Sequence, residues 1–301
     1  MSVAGDQLFA AERRAGASRP SRAWRGLRRF ARRQPLGAVC LVVVVVLIIL
    51  AIVGPSIAPY DPASSDFDRL QRPNGTNWFG TDELGRDTFS RILNGARVSV
   101  AVGFGATSIT LVIATTIGTI SGYYRGWVDT IIQRFVDGVM AFPTLVLLMS
   151  LVVITGAGLK QLIIILGLIG SASSSRIVRS AVLGVRENAY IEAARSLGVG
   201  TPRLLLRHVL PNCFAPIMVS ATVGLGGVIL AEAALSFLGV GINDPNHPTW
   251  GQMLNRARKF ANVEPIQALW PGMAIAITVF SFNMLGDALR DTLDPRLRGG
   301  R

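Results

Sequence analysis

Fixed charge is scarce in this 301-residue chain: Asp, Glu, Lys and Arg make up 16% of it, against roughly 25% in soluble proteins. Half the residues are hydrophobic and mean hydropathy is +0.45. Together these exclude a disordered tail, a coiled coil and an ordinary water-soluble enzyme. Lysine is nearly missing, with only Lys160 and Lys259. Two cysteines, Cys40 and Cys213, make no disulfide framework, and with His208 and His247 they are too scattered to suggest a zinc site. A nucleotide loop is also lacking. It needs Gly-x-x-x-x-Gly-Lys-Ser/Thr so that backbone amides and a lysine hold the phosphates, and Lys160 stands between Leu159 and Gln161. No Gly-x-Gly-x-x-Gly and no Gly-x-Ser-x-Gly nucleophile turn occurs. Asp66-Phe67-Asp68 lacks the rest of a calcium loop. The chain is therefore expected to be no enzyme and to hold no metal or cofactor. If it pumps, another chain supplies the energy.

What the sequence has instead is long apolar runs. The first covers 36–58, and its middle, 42–49, carries no polar side chain. About 20 apolar residues at 1.5 Å each cross a hydrocarbon core of roughly 30 Å. A cleavable signal peptide competes, since Ser56-Ile57-Ala58 loosely fits a small-x-small site. The length of the run and of its basic leader favour an uncleaved anchor. Further spans are expected at about 98–122, 127–154, 161–182, 213–240 and 266–289. The 161–182 span is the weakest, because its apolar part runs into Ser173-Ser174-Ser175-Arg176, and a half-buried or re-entrant segment is the alternative there.

Positive charge orients the spans. Net charge is +12, and nine Arg against Asp6 and Glu12 fill the first 35 residues. Six more lie in 176–207, and Arg290, Arg296, Arg298 and Arg301 lie near the C-terminus. The 59–96 loop is acidic by contrast, with Asp61, Asp66, Asp68, Asp82, Glu83 and Asp87. Both termini and the 183–212 loop are thus expected on the cytoplasmic face of the cell (inner) membrane. One loop dissents: 241–264 should be external yet holds Arg256, Arg258 and Lys259. Orientation accounts for the basicity, so nucleic acid is not expected as a partner. The organisation expected is a basic cytoplasmic tail (1–35), a first span with its external loop (36–97), a helical core (98–290) with a loop at 186–211, and a C-terminal tail (291–301). No 20–50-residue repeat stands out.

The 186–211 loop carries the strongest local signal. Ala193, Ala194 and Leu197 favour a helix, with Glu187 near its positive end. Gly198 and Gly200 can stop it in a left-handed turn. Thr201 can cap a second short helix with Pro202 at its first position, and Pro211 should end that helix and begin the next span. The product is a helix–turn–helix elbow with small residues that admit a close partner. An amphipathic helix lying at the membrane surface explains the spacing equally well. A DNA-binding elbow anchored between two spans would dock poorly.

Within this elbow, Glu192-Ala193-Ala194, then Gly198, then Leu210-Pro211 resembles the coupling (EAA) loop of ABC importer permeases. Three other segments resemble the dipeptide/oligopeptide/nickel branch of that family, and its C-type (second) permease in particular. They are Phe79-Gly80-Thr81-Asp82-Glu83-Leu84-Gly85-Arg86-Asp87 after the first span, Leu235-Ser236-Phe237-Leu238-Gly239-Val240-Gly241 at the end of the fifth, and Leu285-Gly286-Asp287-Ala288-Leu289-Arg290-Asp291-Thr292-Leu293-Asp294-Pro295-Arg296 near the C-terminus. The likeness covers about 35–298. It implies an all-α polytopic permease of about six spans for di- or oligopeptides. Its implied partners are a related permease, usually as a heterodimer, two ATPase subunits that bind ATP and magnesium, and an extracytoplasmic solute-binding protein. Glu187, Tyr190, Glu192, Ala193, Ala194, Leu197, Gly198, Leu210 and Pro211 would then couple to an ATPase.

Other residues keep two readings. Glu232, inside the fifth span after Gly224, Gly226 and Gly227, either lines the substrate route or bonds across a permease–permease interface. Arg134 and Asp137 stand three apart on one helix and are expected to neutralise one another. Gly80, Thr81, Asp82, Gly85, Arg86 and Asp87 either help dock the binding protein or simply fold their loop. Nickel or another small solute is the alternative cargo. A secondary transporter is disfavoured by the lack of evident inverted halves, and an intramembrane enzyme by the lack of a nucleophile–base or metal arrangement.

Overall fold

A computed structural model describes residues 30–293. The basic leader and the final Arg-rich residues expected in the cytoplasm lie outside this range. Helices account for most of the described residues: α1 Pro35–Ile57, α2 Thr88–Tyr124, α3 Gly126–Met140, α4 Thr144–Thr155, α5 Leu159–Arg186, α6 Ala189–Ser196, α7 Thr201–Leu204, α8 Phe214–Phe237, α9 Trp250–Arg258 and α10 Ile266–Leu293. Among the described residues five helical stretches are long and apolar enough to cross a membrane, and six if α3 and α4 count as one broken span.

Three of the expected spans differ in detail and the weakest one holds, each for a local reason. The second span starts at Thr88, ten residues early, because the Asp87 carboxylate accepts from the Ser90 amide at 2.8 Å and caps the helix. The third is not one rod. It bends by 84° at the break before α4, where Pro143 takes the N-cap position and brings no N–H to continue α3. The fourth is an unbroken 28-residue helix, not a re-entrant one. Its serines do not interrupt it, because Ser171, Ser173 and Ser175 donate to carbonyls three residues back. Before the fifth span, Pro211 does not end a helix. α7 passes through a π-turn (Leu205–Val209) and a 3-10 turn (Leu210–Cys213) into α8, so Thr201–Phe237 is one span-length stretch.

α2 and α5 form the closest pair, and glycines allow it. A Cβ on Gly118 would stand 2.6 Å from the Ser175 carbonyl, and one on Gly167 2.7 Å from Ile109. A cluster of Val102, Leu148, Leu162 and Leu235 fills the centre among α2, α4, α5 and α8. Val44, Ile229 and Phe282 join α1, α8 and α10. Each such side chain contributes about 1.5–3 kcal/mol on full burial from water, though within a bilayer only the close packing contributes between helices.

The two ends of the bundle are built differently. One carries the 58–87 loop and α9: Arg256–Glu83 (3.1 Å) ties the two, Arg72–Glu264 (2.6 Å) ties the loop to the segment after α9, and Trp250 Nε1 ties α9 to α2 by donating to the Ile92 carbonyl at 3.0 Å. The other carries α6, α7 and the turn between them.

Candidate functional site: an exposed elbow and the cleft behind it

The elbow begins where α5 stops. Asn188 is the N-cap residue of α6, but its amide donates backwards, to the Gly184 and Val185 carbonyls, and closes the end of α5. Ile191 is fully buried and pins α6 against Val182, Leu204 and Val209. α6 ends in a Schellman turn: Val199 N–H donates to the Ala194 carbonyl, Gly198 N–H to the Arg195 carbonyl, and Gly198 takes φ +77°. Only Gly198 is left-handed. Gly200 has φ −61° and is itself the N-cap of α7, so Thr201 is the first helical residue and not the cap.

With that inner side anchored, the outer side is left without a cover. Leu197 is 85% exposed at the tip, Leu206 is 68% and Tyr190 is 45% exposed. Glu187, Glu192, Ala193, Gly198 and Pro211 are exposed as well, whereas Ala194 and Leu210 are half-buried and pack on the anchor. Glu187 pairs with Arg125 at the α2–α3 junction. The guanidiniums of Arg186 and Arg195 lie 5.5 and 5.6 Å from the centre of the Tyr123 ring. Thus Glu187 ties the elbow to the bundle, while Leu197 and Tyr190 offer apolar surface to something outside it.

Behind the elbow a cleft of about 310 Å³ follows one face of α8, from Ile217 through Ser220, Gly224 and Val228 to Ala231. Those 15 residues rise about 21 Å, most of a bilayer's hydrocarbon thickness. Thr107 and Thr110 of α2, Thr144 of α4, and Ser173 and Ser174 of α5 add hydroxyls, and among the described residues no charged one lines it. A second cavity, of about 620 Å³, shares Ser173, Ser174, Ser220 and Gly224 and reaches Arg290. The sequence reading missed these hydroxyls. Their signal is a small or hydroxyl residue every third or fourth position of an otherwise apolar helix.

Glu232 is not part of either cavity. It is fully buried on another side of α8, accepts from Ser236 Oγ at 2.8 Å and meets the Thr249 side chain. Its Oε1 is thus held within the chain and away from both cavities, while Oε2 has no partner among the described residues. Alongside it, α9 abuts α8 so closely that a Cβ on Gly251 would stand 2.3 Å from the Ala233 carbonyl. Asp137 is paired with Arg176 of α5, not with Arg134. One turn further along, Arg179 grips Asp129 of α3 through two bonds of 2.7 and 2.5 Å.

The loop residues expected either to dock a partner or to fold the loop do the second. Gly80 (φ +75°) and Gly85 (φ +79°) sit where a Cβ would strike the Gln71 and Phe67 carbonyls. Thr81 Oγ1 donates to the Asp68 carbonyl at 2.6 Å. Asp82 accepts from the Leu84 and Arg86 amides and from the Arg86 guanidinium at 2.7 Å, and Asp87 accepts from Asn77 at 2.9 Å. Thr81, Arg86 and Asp87 are buried. Arg91, which the sequence did not single out, is buried beside them and donates to the Pro62 carbonyl. At the rim of the same end, a hydrogen bond from His247 holds the Asp244 carboxyl below its ordinary range.

A family model described as binding-protein-dependent transport system inner membrane component matches residues 114–299, which include the elbow and most of the cleft lining. The chain belongs to this family. A second model, the N-terminal TM domain of oligopeptide transport permease C, matches residues 21–73 of this inner membrane component. It is 41% identical to the dipeptide transport system permease protein DppC of Alkalihalophilus pseudofirmus over 91% of this chain and 90% of that one. The glutathione transport system permease protein GsiD of Pectobacterium atrosepticum is 40% identical over 91% and 92%, and that of Escherichia coli 42% over 90% of each. The fold is similar to a chain of the inward-facing MetNI methionine ABC transporter, with TM-score 0.57 and 19% identity over 68% of this chain and 96% of that one.

Proposed function

We propose that this multi-span membrane protein is the permease subunit of a peptide importer, working beside a second, related permease. Two ATPase subunits bind ATP and magnesium and supply the energy, and an extracytoplasmic solute-binding protein delivers the cargo. The single observation that carries this reading is the elbow: an anchored helix pair with an uncovered apolar tip at Leu197, joined through the π-turn to the helix that walls the cleft. Tyr190, Glu192, Ala193, Leu197 and Gly198 form the surface that an ATPase grips, and Ala194, Leu210 and Pro211 set its angle to α8. Both termini and the elbow lie in the cytoplasm, where the arginines of 176–207 face anionic lipid.

The cleft is this chain's wall of the route, and the second permease supplies the other. Uncharged hydroxyls suit it to that work. They replace some of the water around a peptide's amides without a fixed counter-charge that would hold it. The named substrates of the relatives, dipeptides and glutathione, support a peptide cargo.

The test is purification of the tagged chain from its own membranes with mass spectrometry of what accompanies it, and peptide uptake by the reconstituted assembly. An ATPase and a second permease should co-purify, and should be lost when Glu192-Ala193-Ala194 is replaced by Lys-Trp-Trp. A chain that stays alone after crosslinking in intact membranes would overturn the reading and favour an ATP-independent transporter.

A further inference from the structure

At the end opposite the elbow, a pocket of about 340 Å³ opens between the end of α8, α9 and the 58–87 loop. Its polar lining includes Glu83, Asn243, Gln252, Asn255, Arg256 and Lys259. Most of their hydrogen-bonding capacity is already used. Arg256 pairs with Glu83 at 3.1 Å, Asn243 Oδ1 accepts from Gln252 Nε2 and Arg256, and Asn255 Nδ2 donates to the Phe237 carbonyl. Two groups stand out. Gln252 is 94% buried, yet its Oε1 has no partner among the described residues. The Lys259 ammonium has no ion pair among them either. A buried acceptor without a donor carries a desolvation penalty that a bound N–H would relieve.

Gln252 and Lys259 are seven residues apart on α9 and its C-cap, two turns along one face. The backbone separation is about 10 Å, and a flexible lysine can close part of it. In an extended peptide the N–H groups of the last two residues lie within about 7 Å of the terminal carboxylate. We propose that this pocket receives the C-terminal end of the peptide cargo at the outer mouth, with the carboxylate on Lys259 and a main-chain N–H on Gln252 Oε1. The proposal rests on the peptide-importer reading above. It also gives a use to a cation that stands against the positive-inside bias. Arg258, by contrast, covers the Phe237 ring at 5.1 Å and is not part of the pocket lining.

The experiment uses the complete importer in proteoliposomes, without binding protein, and a tripeptide carrying a benzophenone side chain next to its C-terminus. On illumination the free-acid probe should label α9 of this chain, and its C-terminal amide should label it about tenfold less, the scale of one lost charged contact. Lys259→Ala should erase that difference, Lys259→Arg should keep it, and Arg258→Ala should leave it unchanged. Equal labelling by acid and amide, or labelling of Lys259→Ala as strong as wild type, would overturn the proposal. So would loss of peptide-free binding-protein association in Lys259→Ala, which would make the pocket a protein-docking surface. Failure of the importer reading looks different: wild-type vesicles supplied with binding protein and ATP would then take up no peptide.

Discussion

The two ends of the bundle treat polar and apolar side chains in opposite ways. At the loop end, Thr81, Asp82, Arg86 and Asp87 face inward and bond to one another or to nearby backbone, so the segment holds itself. At the elbow end, the apolar Ile191, Leu204 and Val209 face inward, while Leu197 and Tyr190 are left uncovered. Similar motif density in the sequence thus hides two kinds of constraint. One set of residues makes a rigid platform, and the other makes a surface that is complete only with a partner.

Substitutions can break that comparison, and the largest effect should come from the loop end. Arg86→Ala would remove a buried cation shared by Asp82 and Glu83, leaving Arg91 and Arg256 as their remaining partners. A loss of about 3–5 kcal/mol is expected, read as a lower unfolding temperature in detergent. Ile191→Ala should cost about 2–4 kcal/mol locally, detected as faster amide exchange in α6 with the loop end unchanged. Gly198→Ala and Gly198→Asp both place a side chain at φ +77°, at about 1–2 kcal/mol each. Nothing lies within 4 Å of the added Cβ, so the two variants should have equal stability. If the turn is a docking surface, uptake should fall much further with Asp than with Ala, and equal uptake would reduce Gly198 to a helix stop.

Leu197→Ser sharpens the contrast further. Stability should move by less than about 0.5 kcal/mol, since the side chain touches little, while ATP-driven uptake should fall at least about tenfold. Normal uptake would mean the tip meets nothing. The smallest effect belongs to Glu232→Gln. The Ser236 bond survives in the amide, so uptake within about twofold of wild type is expected. A large loss would show that the charge itself is needed.

Much of this was legible from the residues, but unevenly. Apolar runs show as spans because hydropathy averages over about 20 positions, and that same averaging hid the bend at Pro143. The start of α2 was misplaced because its first ten residues carry polar groups that serve the adjoining loop. Arg134 and Asp137 looked paired because helical spacing is all that one sequence shows. Arg176 comes from another helix, and such a contact has no sequence signature. The cleft hydroxyls were hidden for a different reason: a serine in a span commonly returns to its own backbone, as Ser173 does, and nothing local separates that use from facing a route.

The helical continuity from Thr201 to Phe237 has a mechanical consequence. At 1.5 Å per residue the stretch is about 54 Å long, so each degree of tilt about one end shifts the other by roughly 1 Å. A swing of three or four degrees, started at Gly200 by a moving neighbour, would displace the wall at Ala231 by about the diameter of a water molecule. The protein therefore needs no large rearrangement of its own to open or shut a passage, because the length of one rod multiplies a small push.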